Sequence, residues 1–93
     1  QRVSLGRNDL LIRTFPRQRI SYNLKRLRKT QELSQEKAAE LADFHRTYVS
    51  QLERCVTNIS IDGLERLAHA LGVDVLELLK PVEADSESPP FRM

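Results

Sequence analysis

From about residue 19 onward the apolar positions fall into helical stripes, and before that they show no sustained period. Ile20, Leu24 and Leu27 recur at i, i+4 and i+7, marking one face of a first helix that runs from about Arg19 to near Thr30. Leu33 follows as a connector that should point inward. Ser34 is suited to cap a second helix opening on Gln35-Glu36, with an acid where the helix dipole favours one. Ala38, Leu41 and Ala42 are its expected inward face, with Ala39 beside them, and such small residues imply close approach by a neighbour. Asp43-Phe44-His45 makes a three-residue connection to a third helix of about Arg46 to Arg54, whose inward aliphatic candidates are Val49 and Leu52. Cys55 to Ile59 is expected to be a loop. Ser60 can cap a fourth helix in which Leu64, Leu67, Ala68 and Leu71 form an i, i+3, i+4, i+7 stripe, with Gly72 positioned to end it. Asp74-Val-Leu-Glu77 has the form of a capping box, so a fifth short helix is expected from about Val75 to Lys80, stopped by Pro81.

These elements predict one all-α domain over residues 18–81. Phe15-Pro16 is expected to be extended or turn rather than helix interior, because the residue before proline avoids the helical region. Residues 1–17 form a basic N-terminal arm in this reading. Residues 82–93 are polar, contain Pro and lack a packing period, which predicts a flexible tail.

Composition narrows the class. At 93 residues, 40% hydrophobic and 30% charged, the chain has the makings of one soluble domain with a modest core. No apolar run approaches the roughly 20 residues of a membrane span, and Gln1-Arg-Val-Ser-Leu-Gly6 lacks the apolar region of a signal peptide. The single cysteine, Cys55, fits a reducing, cytoplasmic setting and makes no internal disulfide or metal cage. His45 and His69 stand too far apart in sequence for ligand spacing, so no metal, cofactor or small-molecule ligand is expected. The chain has no Gly-rich phosphate loop and no arranged catalytic group, which argues against an enzyme. Charge is unevenly placed: up to Thr30 nine basic residues face one acid, and beyond it six bases face twelve acids. That asymmetry suits a polyanion at one face, while a solvated basic tail would show the same imbalance.

The third helix carries the most chemistry. Its outward residues Arg46, Thr47, Tyr48, Ser50 and Gln51 are rich in hydrogen-bonding groups and lack the Lys–Glu interspersion of a merely solvated helix. Arginine can address guanine O6 and N7 together, glutamine can address adenine, and threonine can offer its methyl to thymine. Two short helices joined by a tight turn would hold such a face in a major groove. An ordinary polar surface remains the alternative on this helix alone.

The run Ser34-Gln-Glu-Lys-Ala-Ala-Glu-Leu-Ala-Asp-Phe-His-Arg-Thr-Tyr-Val-Ser-Gln-Leu-Glu-Arg54 resembles the helix-turn-helix of Cro/CI-type (XRE) regulators. The resemblance continues through Leu27-Arg28-Lys29 before it and Leu64-Glu-Arg-Leu-Ala-His-Ala-Leu-Gly-Val73 after it. Within that family, Arg46-Thr-Tyr-Val-Ser50, Glu53-Arg54, Asn58-Ile-Ser-Ile61 and Leu64-Glu65 look most like restriction–modification controller proteins. The resemblance implies a five-helix lambda-repressor-like domain that binds double-stranded DNA as a homodimer on a near-palindromic operator. It assigns base reading to Arg46, Thr47 and Gln51, with Tyr48 and Ser50 near bases or phosphate. It assigns phosphate contact to Gln35 at a helix N-terminus and to Arg54, and brings Asn58 and its loop up to the backbone. It makes Arg28 and Glu53 a buried structural salt bridge.

This chain departs from that family at Asp43, where Gly is usual, and at His45, where Ser or Thr is usual. For His45, phosphate contact, capping and simple exposure all stay open. Where controller proteins often carry a further basic residue, the loop has Cys55, Val56 and Thr57. Val73, Val75, Leu76 and Leu79 give the last helix and its approach more apolar residues than a core this small needs, which suggests a two-fold dimer patch, with packing of all of them onto the fourth helix as the alternative. An antitoxin or phage-type repressor of the same fold, and an interaction module that does not bind DNA, are the competing readings. Residues 1–17 could serve as a minor-groove arm or an added dimer element, or could be foreign to the natural chain.

Overall fold

The computed structural model describes residues 12–13 and 15–83. Along this stretch run β1 (Ile12–Arg13), α1 (Pro16–Thr30), α2 (Gln35–Ala42), α3 (Arg46–Glu53), α4 (Ile61–Leu71), α5 (Val75–Leu79) and β2 (Val82–Glu83). The five helices among the described residues follow the periodicity of the chain, and apart from one two-residue antiparallel pair the described fold is all-α.

The first helix starts earlier than its apolar stripe. Phe15 is extended, as a residue before proline must be, and Pro16 occupies the first helical turn, where its missing N–H costs nothing. Pro16 therefore belongs to the helix and not to an extended arm. Val82–Glu83, expected to open a flexible tail, instead pairs with β1, with Ile12 opposite Glu83 and Arg13 opposite Val82. Val82 is buried, so one apolar side chain after Pro81 is enough to dock the segment. The remainder of the expected arm and tail lies outside the described residues.

Three N-caps form as their residue types dictate. Ser34 Oγ accepts from the Lys37 amide at 2.9 Å, Ser60 Oγ from Gly63 at 2.9 Å, and Asp74 Oδ1 from Leu76 at 2.8 Å. The reciprocal half of a capping box is not made at Asp74, because Glu77 turns instead to Lys80 at 3.2 Å.

Four helices share one kind of exit. Glu32, Asp43, Cys55 and Gly72 are left-handed, with φ of 59°, 63°, 63° and 69°. Beyond each, an amide reaches back five residues, from Leu33 to Arg28, Phe44 to Ala39, Val56 to Gln51 and Val73 to Ala68, at 2.8–3.1 Å. This is the Schellman arrangement, which satisfies carbonyls that the helix itself leaves open. Leu33, Phe44 and Val73 then tuck against the core, whereas Val56 stays exposed.

Leu24, Val49, Leu67 and Leu78 are fully excluded from solvent and bring α1, α3, α4 and α5 onto one centre. Burying each leucine contributes about 1.5–3 kcal/mol. Ala38, Ala39 and Ala42 are buried in α2, while Leu41, expected inward, is 48% exposed. At about 100° per residue the three alanines define a face that Leu41 misses, and Gln35 falls on that face, one turn before Ala39. The small side chains let α2 pack closely on α3 and α4, which leaves no room for a leucine between them.

Buried Asn23 closes the far end of the core. Its Nδ2 donates to the carbonyls of Leu78 and Lys80 at 3.1 Å each, Arg19 donates to Leu79 O at 3.2 Å, and Arg26 donates to Asn23 Oδ1 at 3.1 Å. Helix α1 thereby satisfies the C-terminal carbonyls of the five-residue α5, which cannot cap itself.

Candidate nucleic-acid interface

Helix α3 has two unlike sides. Val49, Leu52 and Glu53 are buried, and the burial of a carboxylate requires compensation. Arg28 supplies it in fork geometry, Nε to Glu53 Oε2 at 2.6 Å and Nη2 to Oε1 at 3.0 Å, with side-chain exposures of 12% and 2%. Gln35 Nε2 donates to the same Oε1 at 3.0 Å. Arg28 Nη1 also holds Leu33 O at 2.8 Å, and Ser21 donates to the Glu53 carbonyl at 2.6 Å. Burial pushes the Glu53 carboxyl up, but hydrogen bonds from Arg28 and Gln35 and the charges of Arg28 and Lys25 hold it below the usual carboxylate range. The hydrogen bond to Glu53 raises Arg28 in turn, against the opposing effect of its own desolvation. The expected Arg28–Glu53 bridge is present and locks α1, the α1–α2 connection and the start of α2 to the end of α3.

Opposite this scaffold, Thr47, Ser50, Gln51 and Arg54 recur at i, i+3, i+4 and i+7, a single face turned away from Val49. Arg46 stands exposed beside them in the first turn. Among the described residues, no side-chain hydrogen bond or ion pair engages Arg46, Thr47, Gln51 or Arg54. Arg54, expected at phosphate, thus lies on the line of the expected base readers.

Two expected contacts are differently placed. Tyr48 is half-buried on the flank of α3, its ring edge-on to Phe44 at 4.9 Å and its hydroxyl donating to Asn58 O at 2.7 Å. Its hydroxyl hydrogen is spent on holding the loop, and its ring packs on Phe44. Burial raises the Tyr48 phenol above its ordinary value, against a smaller opposing effect of Arg66. Gln35 shares the buried face of α2, so its amide turns inward to Glu53 and not outward from the helix N-terminus. Asn58 is exposed, and Tyr48 ties its carbonyl to the flank of α3. His45 precedes α3 without a side-chain cap bond.

Of the four residues expected at a dimer surface, Val73, Val75 and Leu79 pack partly against the core, and Leu76 is 69% exposed. Ile61, at the start of α4, is 83% exposed. Sequence reasoning missed Arg66, which donates from α4 to the carbonyls at the α2–α3 turn. It also missed Asn23, although a polar residue standing between Ile20, Leu24 and Leu27 was a visible signal. Among the described residues, no group of three His, Cys, Asp or Glu side chains could hold a metal ion, and no helix is long and apolar enough to cross a membrane.

Comparison with known proteins gives this geometry a context. The family model described as Helix-turn-helix matches residues 24–78. Control protein C.MunI of Mycoplasma sp is 38% identical over 79 residues, covering 84% of this chain and 99% of that one. Control protein C.BamHI of Bacillus amyloliquefaciens is 49% identical over 47 residues, which is 50% of this chain and 58% of that protein's length. The solved structure of the restriction-modification controller protein C.AhdI from Aeromonas hydrophila superposes with a TM-score of 0.65 at 35% identity, covering 67% of this chain and 94% of that one.

Proposed function

The chain belongs to the helix-turn-helix family, and from that premise we propose that it is a sequence-specific DNA-binding transcriptional regulator acting as a dimer on a near-palindromic operator. Its similarity to control proteins supports a role in controlling the genes of a restriction–modification system. The observation that carries the reading is the division of α3. Its rear carboxylate is locked by Arg28 and Gln35, while Thr47, Gln51 and Arg54 project unengaged with Arg46 beside them. Rigid support behind unengaged hydrogen-bonding groups is what base reading in a major groove requires.

Two such faces must be spaced to meet successive grooves, because one short helix buries too little surface for a specific site. In this proposal the exposed Leu76 and half-buried Val75 and Leu79 of α5, with Val73 just before it, meet their counterparts in a second copy. Phosphate contacts from Asn58 and its loop fix the register, and Arg46, Thr47 and Gln51 select bases, with Arg54 and Ser50 on the same face.

Selection of binding sites from a random duplex pool tests the reading. The expected product is an inverted repeat whose half-site centres lie about 34 Å apart, bound with an affinity that falls steeply with salt. A pool that returns no salt-sensitive sequence preference would overturn the proposal.

A further inference from the structure

The Schellman bonds that close α2 engage the Ala39 and Glu40 carbonyls and leave those of Ala42 and Asp43 to other donors. Asp43 occupies the left-handed region that glycine adopts more readily. His45 contributes no cap bond to α3, and the last turn of α2 contains no basic residue to meet its exposed carbonyls. Arg66 supplies from α4 what the turn lacks. Its Nε and Nη2 donate to Ala42 O at 3.2 and 3.0 Å, and Nη2 also donates to Asp43 O at 2.6 Å. The Asp43 carboxylate lies 3.8 Å away. The guanidinium carbon sits 4.4 Å from the centre of the Phe44 ring, a stacking contact that adds cation–π attraction.

The contact continues beyond the turn. Phe44 meets Tyr48 of α3 edge-on, and Tyr48 holds Asn58 O. Asp43, Phe44, His45, Tyr48 and Arg66 together line a surface pocket of about 500 Å³ beside the start of α3. One side chain on α4 therefore touches the end of α2 and the turn, and acts through two aromatic rings on α3 and on the loop after it.

We propose that Arg66 is a positioning residue for base recognition: it sets the α2–α3 turn, and with it the angle at which Arg46 and Thr47 meet the duplex. The inference rests on the DNA-binding reading above. A fork that grips two successive carbonyls while stacking on a ring is a task for arginine, because lysine offers a point charge without the planar fork. Loss of the fork leaves the basic and polar groups of the interface in place but misaims them. Discrimination should then suffer more than overall attraction, since non-specific binding depends on charge and not on aim.

Arg66→Met keeps an aliphatic stem over Phe44 and removes the donors, and Arg66→Lys keeps the charge. Each is compared with the unaltered protein for affinity to the selected operator, affinity to a mixed-sequence duplex, salt dependence and Tm. Arg66→Met should lose about tenfold in operator affinity with mixed-sequence binding and salt slope unchanged, so that the ratio of the two affinities narrows. Arg66→Lys should recover part of that ratio, and it carries the same comparison if the methionine variant fails to fold. An equal loss on both duplexes with a salt slope lower by about one would overturn the proposal in favour of direct phosphate contact. An unchanged ratio with a lowered Tm would overturn it in favour of a purely structural role. If the unaltered protein selects no operator, the regulator reading itself fails. If it selects one and Arg66→Met discriminates equally well, only the positioning role falls.

Discussion

The rear and the front of α3 are made of opposite materials within eight residues. Behind, Glu53 receives three side-chain hydrogen bonds and its backbone carbonyl a fourth. In front, Thr47, Gln51 and Arg54 hold nothing among the described residues. The first arrangement removes freedom and the second preserves it. A side chain already satisfied within the fold must break a bond before it can meet a ligand, whereas an unengaged one exchanges only water. The contrast therefore separates residues whose loss should lower stability from residues whose loss should lower affinity, and Tyr48, bonded to the loop but near the interface, falls between them.

The largest effect should come from the rear. Glu53→Ala leaves the Arg28 charge buried without its partner, which costs about 3–5 kcal/mol and lowers Tm by more than about 10 °C in a domain this size. A loss below about 1 kcal/mol in urea unfolding would dissolve the contrast, since that is the scale of a surface pair. The same carboxylate dictates the pH response. Its pKa is depressed in the folded state, so its contribution is complete above the unfolded value of about 4.3 and disappears as pH falls through the lower folded value. Stability measured from pH 6 downward should drop at the acid end in the unaltered protein, and more shallowly in Glu53→Gln.

The front should answer in the opposite currency. Arg46→Ala should weaken operator binding by about 1–3 kcal/mol and relax one base position, while unfolding changes by less than about 0.5 kcal/mol. Equal losses in stability and binding would show that the face is part of the scaffold. Tyr48→Phe, at the boundary, should cost about 1 kcal/mol in unfolding by freeing Asn58 O, and should quicken amide exchange in the Asn58 loop. The smallest effect is a gain: Cys55→Gly relieves a left-handed non-glycine residue just after α3 and should raise stability by up to about 1 kcal/mol with binding unchanged.

How far the sequence foretold these regions depended on the range of the interaction. Ser34, Ser60 and Gly72 act on amides and carbonyls a few residues away, so their roles could be read locally. The stripe of Leu64, Leu67, Ala68 and Leu71 was equally plain, as its period alone sets its burial. Leu41 was misread because hydrophobicity suggested burial where closeness of packing demanded alanine. Tyr48 and Gln35 carry side chains suited to DNA, and only the fold shows that Asn58 and Glu53 occupy them first. Arg66 is 23 and 24 residues from the carbonyls it holds, and nothing in its neighbourhood on α4 distinguishes it from a solvated arginine. The pairing of Ile12–Arg13 with Val82–Glu83 is two residues long, too short to show any period.

That last pairing has a topological consequence. Ile12 and Glu83 stand side by side, so the path through all five helices returns to its own beginning. A chain joined covalently across this clasp and opened in a surface loop would pass through the same helices in a permuted order. Its helix contacts would survive, since none depends on which element is made first. The clasp thus separates the packing of the helices from the order in which the chain supplies them.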